Sequence, residues 1–104
     1  MSFPWALVKE SEIADAVMEA ERELAPHVVR IRYNVGENWT GDPAVFFRVL
    51  LSDRASRPKG LRNIARRVEA KLEDDPRVVG PGLFAYFDYR SESEQAKLKD
   101  KAWS

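Results

Sequence analysis

The sequence predicts an α+β fold, a two-layer sandwich in which two helices cover one face of a three-stranded sheet. Three observations carry that expectation. Apolar residues recur with a helical period in two segments and with a period of two in three others. The segments follow the order α-β-β-α-β, with Gly, Pro, Asp and Asn clusters between them. The chain has 104 residues, 44% hydrophobic and 33% charged, which is ordinary for one globular domain. No repeat, low-complexity tract or linker divides it, so residues 1–104 are read as a single domain.

The first helix is expected over Lys9 to Leu24, where Ile13, Val17, Ala20 and Leu24 fall on one face. Ser11 is its expected N-cap and Pro26 its stop. Its other face is acidic, with Glu10, Glu12, Asp15, Glu19, Glu21 and Glu23. His27 to Val35 then reads as a half-buried strand. Val29, Ile31, Tyr33 and Val35 point one way, and Arg30, Arg32 and Asn34 the other. After a loop over Gly36 to Pro43 comes a second strand, Ala44 to Ser52, apolar on both sides. The short connection favours antiparallel pairing. Leu61, Ile64, Ala65, Val68 and Leu72 mark a second helix, opened near Ser56 and Pro58 and closed by Asp74-Asp75-Pro76. Gly80-Pro81-Gly82 reads as a turn into a third strand, Leu83 to Arg90. Ser91 and Glu94 have capping-box spacing, so a short C-terminal helix or tail follows. A right-handed crossover is expected from the second strand to the third. The sheet is expected to be mainly antiparallel, and the order resembles a ferredoxin-like fold lacking its first strand. Phe3 to Val8 is the candidate for that strand, at an edge because of Pro4.

Composition narrows the function. Lys plus Arg and Asp plus Glu are both 17, so the net charge is zero and the whole molecule attracts neither nucleic acid nor membrane. Zero net charge also disfavours a lone, soluble monomer. Cysteine is absent, which excludes disulfides and thiolate chemistry. One histidine, His27, cannot build a closed metal site, so no metal and no cofactor are expected. The N-terminal segment carries only a short apolar stretch and no basic leader, and a cytoplasmic location is expected. The Gly-rich points are turns, because neither opens a helix as a phosphate-binding loop does. The carboxylate pairs Asp74-Asp75, Glu10/Glu12 and Glu92/Glu94 read as helix caps and solvated decoration.

Three surface features are candidates for binding. In the loop ENWTGDP, Trp39 is expected to cover an end of the core, since exposing it costs roughly 2 kcal/mol or more. The alternative makes Trp39 and Asp42 a binding loop. The second helix is basic, with Arg62, Arg66 and Arg67 preceded by Arg54, Arg57 and Lys59. Pairing with the acidic first helix, in this molecule or a neighbour, is expected there, and a phosphate patch is the alternative. The third feature is the sheet face away from the helices. By parity it carries Val28, Arg30, Arg32, Phe46, Arg48, Leu50, Phe84, Tyr86 and Arg90. Phe46, Leu50, Phe84 and Tyr86 together mark an interface unless Leu98 and Trp103 of the C-terminal segment cover them.

The run Glu37 to Asp53, then Tyr86-Phe87 and Ser91-Glu92-Ser93-Glu94-Gln95, resembles a family of small uncharacterised bacterial α+β proteins. The resemblance implies a two-gene arrangement similar to toxin–antitoxin pairs, and it brings no catalytic motif. The expected function is therefore a non-catalytic protein-interaction module, the neutralising partner in such a pair. It would bind a protein partner or a second copy of itself. The alternative is a small RNA-binding domain that uses the basic helix and the Arg/aromatic sheet face.

Overall fold

In this computed structural model, residues 5–80 and 82–104 are described. Glu10–Leu24 forms helix α1, Val28–Glu37 strand β1, Pro43–Leu51 strand β2 and Pro58–Glu73 helix α2. Pro76–Val79 is a single-turn helix α3, Phe84–Ser91 is strand β3 and Glu92–Leu98 is helix α4. Trp5–Leu7 and Lys101–Trp103 are 3-10 turns. Of the segment considered for an extra strand, Trp5–Leu7 is thus helical, while Phe3 and Pro4 lie outside the described residues.

The sheet order is β1-β2-β3, and β2 sits in the middle because it is the strand with apolar residues on both faces. It pairs antiparallel with β1 and parallel with β3. The sheet is therefore mixed: the expected antiparallel pairing holds for β1 and β2 and not for β3. In a ferredoxin-like sheet another strand separates the two strands joined by a crossover. Here β2 and β3 are direct neighbours, so α2 and α3 connect adjacent parallel strands and the ferredoxin-like order holds only in part.

The main core lies between the sheet and α1, α2 and α3. Ile13, Val17, Ala20 and Leu24 of α1 meet Ile64, Val68 and Leu72 of α2 and Val78 of α3. From the sheet come Ile31, Val45, Phe47, Val49 and Leu51. Phe47 stacks on the half-buried Phe87 with ring centroids 5.1 Å apart, and full burial of Phe47 contributes roughly 1.5–3 kcal/mol.

Two local expectations are corrected. Helix α1 starts two residues earlier than Ser11 implied: Lys9 holds the cap position without a side-chain bond. Strand β1 carries a bulge: Val28 pairs with Leu51 and Arg30 with Leu50, so Val29 is the extra residue. Val28 is therefore core, not far-face, and Val29 is 40% exposed.

The far side of the sheet is partly covered. Ser91 caps α4 in a complete capping box with Glu94. Lys99 then turns the chain with φ of 50°, and Lys101–Trp103 comes back across β1 and β2. Leu50 and Trp103 are each 4% exposed and buried outside the main core. The C-terminal segment thus adds a partial third layer to the sandwich.

Candidate functional site

The hairpin between β1 and β2 is organised by Asn38, a residue that sequence reasoning passed over. Its side-chain oxygen accepts hydrogen bonds from the Thr40 amide, the Thr40 hydroxyl and the Asp42 amide at 3.0, 2.8 and 2.9 Å. This is how a short amide side chain imitates a backbone turn. Its amide nitrogen donates to the Tyr86 hydroxyl at 2.9 Å, tying the hairpin to β3. The signal was present in the sequence as Asn two residues before Thr and three before Gly, but its reach to Tyr86 is tertiary.

With the turn so fixed, Trp39 does not cover the core: it is 82% exposed. Its ring meets Tyr86 at 5.6 Å between centroids, and Tyr86 stacks on Phe46 at 5.4 Å and 16°. Phe84, 54% exposed, adjoins along β3. Trp39, Phe46, Tyr86 and Phe84 form an open aromatic platform on the far face. The Asp42 carboxylate lies 2.8 Å from the Thr40 hydroxyl, competes with Asn38 for its single proton and so also serves the turn.

The arginines of this face are engaged by the C-terminal segment, though Arg48 still lines a cleft with Phe46, Tyr86 and Asp88. Arg30, Arg32 and Arg48 donate through Nε to the backbone carbonyls of Trp103, Ser104 and Ala102, at 3.3, 2.6 and 2.8 Å. Arg48 also donates to the Asn34 side chain. Arg90 lies 4.4 Å over the Trp103 ring, donates to Gln95 and pairs with Asp100 at 3.6 Å. For Arg30, Arg32, Arg48 and Leu50, the expectation of an open interface is corrected: the C-terminal segment occupies that half of the face. Phe46, Phe84 and Tyr86 lie on the other half.

The sheet edges differ. At β1 the Ile31 amide donates to the Glu21 carboxylate at 2.8 Å, so α1 guards that edge. At β3 the Tyr89 amide is taken only by the adjacent Asp88 carboxylate, at 3.0 Å.

On the helix layer, pairing between the acidic and basic helices is sparse. Lys71 pairs with Glu23, and Arg77 of α3 bridges Glu19 and Asp75. The Arg77 hydrogen bonds hold the Glu19 and Asp75 carboxyls below the usual carboxylate range. Among the described residues, Arg54, Arg57, Lys59, Arg62, Arg66 and Arg67 make no ion pair. Neutralisation of the basic helix by α1 of the same molecule is therefore not what the structure has. Arg62 and Arg66 line an exposed face with Glu69, whereas Arg67 turns toward His27. Burial, then the bond to Glu69 at 2.6 Å, pushes the Tyr89 hydroxyl up and keeps it protonated.

Among the described residues no cluster of His, Asp or Glu could hold a metal ion, and no helix is long and apolar enough to cross a membrane. No protein-family model, curated protein or solved structure matches the chain. The resemblance to a toxin–antitoxin-type family thus rests on the sequence alone.

Proposed function

We propose that this chain is a non-catalytic protein-interaction module and that its contact surface is the aromatic platform. One observation carries the reading: Trp39 at 82% and Phe84 at 54% exposure flank the stacked Phe46 and Tyr86 on a rigid sheet. Large exposed aromatic clusters of this kind anchor protein partners. The partner offers an extended apolar segment, which adds along the lightly guarded β3 edge while its side chains meet the rings. Asp88 on β3 and Asp42 in the hairpin favour a segment with basic flanks. A neutralising role in a bacterial two-gene pair is the narrower form of this proposal, and it rests on the family resemblance.

The RNA-binding alternative is favoured by the unpaired cations of α2 and the loop before it. Two features weigh against it. The arginines nearest the platform hold the C-terminal backbone through their Nε donors, so fewer of their donors remain for phosphates beside stacked bases. The free cations lie on the opposite layer, across the sheet from the rings.

The test combines sedimentation of the chain alone with co-purification against the product of the adjacent gene. Association that weakens in Trp39→Ser and Phe84→Ser, with melting unchanged, supports the proposal. A chain that stays at 11.9 kDa at all concentrations and ignores its gene neighbour's product overturns it.

A further inference from the structure

The residue before β1, the loop before α2 and the first turns of α2 line a small, half-open cavity of about 200 Å³, whose polar wall residues are exposed. Its floor is apolar, made by Ala55 and Ile64, both buried. Its walls are polar: His27, Arg54, Asn63 and Arg67. None of these four side chains has a hydrogen-bond or ion-pair partner among the described residues. Helix α1 offers acids to Lys71 and Arg77 but none to this pair. Gly60 closes one side, in the first turn of α2, where amides have no acceptor within the helix. A Cβ at Gly60 would come within 2.9 Å of the Ala55 carbonyl oxygen, so the backbone there is as close as it can be.

We infer that this cavity binds the phosphate group of a small phosphomonoester. Two guanidiniums supply planar, paired donors that match phosphate oxygens. His27 and the Asn63 amide add donors on the remaining sides. No carboxylate lines the cavity to repel an anion. The volume lies below the roughly 300–1,000 Å³ of sites that enclose drug-sized ligands. It therefore suits a phosphate group and the first atoms attached to it, with the rest of the ligand outside. The site lies on the helix layer and is independent of the aromatic platform.

Titration with inorganic phosphate, followed by amide and histidine ring resonances at constant ionic strength, tests the inference. Expected is a saturable shift centred on His27, Gly60 and Asn63, weakened at least tenfold in the double variant Arg54→Gln/Arg67→Gln. Because the side chains of these arginines make no internal hydrogen bond or ion pair, the variant should melt as the parent does. Phenyl phosphate should bind at least as well as inorganic phosphate. Three results overturn the inference: no saturation, an equal response to chloride, or an undiminished response in the double variant. A single-stranded oligonucleotide without terminal phosphates that binds here as tightly as phenyl phosphate also overturns it, since the cavity would then be one contact of a nucleic-acid surface.

Discussion

At the residue scale, Asn38 and Trp39 are neighbours with opposite jobs. Asn38 accepts three hydrogen bonds and donates one, so Asn38→Ala leaves several polar groups of the turn unpaired. A loss of about 1–2 kcal/mol is expected, read from denaturant unfolding. Trp39→Ala removes a side chain that is 82% exposed and should change stability by less than about 0.5 kcal/mol. The same change should cost about 1–3 kcal/mol of partner binding. If instead Trp39→Ala unfolds the protein, the ring is part of the core and the platform loses its anchor. Arg77 makes a third case. Its partners Asp75 and Glu19 have lowered folded-state values, so their contribution is present above about pH 4 and is lost as the pH falls through those values. Arg77→Gln should lower the melting temperature slightly at pH 7. The gap between the two proteins should close on acidification below about pH 4. Melting curves from pH 2 to 7 that stay parallel would show that the ion cluster contributes nothing.

At the scale of elements, the C-terminal segment decides what the sheet can offer. Its backbone takes the Nε of three arginines, and Trp103 is buried to 4% exposure over the far face. Trp103→Ala should cost about 3 kcal/mol, the lower end for a buried Trp because this layer is thin. It should also speed hydrogen exchange in residues 99–104 without affecting Phe47 and the main core. Exchange that accelerates across the whole sheet would mean the far layer and the core unfold as one unit. Lys99 sits at φ of 50°, in the left-handed region that disfavours side chains with a Cβ. Lys99→Gly should stabilise the protein by up to about 1 kcal/mol, and a clear loss of stability would mean the Lys99 side chain holds the segment down.

For the whole molecule, zero net charge hides a strong asymmetry. Carboxylates dominate α1, unpaired cations surround the start of α2, and the aromatic platform occupies the opposite face of the sheet. The platform and the basic cavity share no residue, so their effects should add. Phe84→Ser should lower protein association and leave phosphate binding unchanged, while Arg54→Gln/Arg67→Gln should do the reverse. Paired binding assays on both variants check this, and cross-effects in either direction would show that one surface controls the other. If the RNA reading is right instead, binding to a single-stranded oligonucleotide should weaken with salt, the slope falling by about 0.7 for each phosphate contact removed.

Element type was legible in the sequence because it depends on short-range period. Ile13, Val17, Ala20 and Leu24 repeat every turn, and Val45, Phe47, Val49 and Leu51 alternate across a pleat. The capping box at Ser91 was legible for the same reason, since both partners lie within one turn. The bulge at Val29 was not, because an added residue is defined only against the strand it pairs with. Nor was the sheet order: closing β3 directly onto β2 is a choice among pairings of similar local pattern. The far face shows the limit most sharply. Parity placed Arg48, Leu50, Phe46 and Tyr86 together correctly, and sequence alone supplied Trp103 as a possible cover. Only tertiary structure decided that the cover reaches Arg48 and Leu50 and stops short of Phe46 and Tyr86, because that boundary is set by where a chain of thirteen residues after Ser91 can reach once it turns at Lys99.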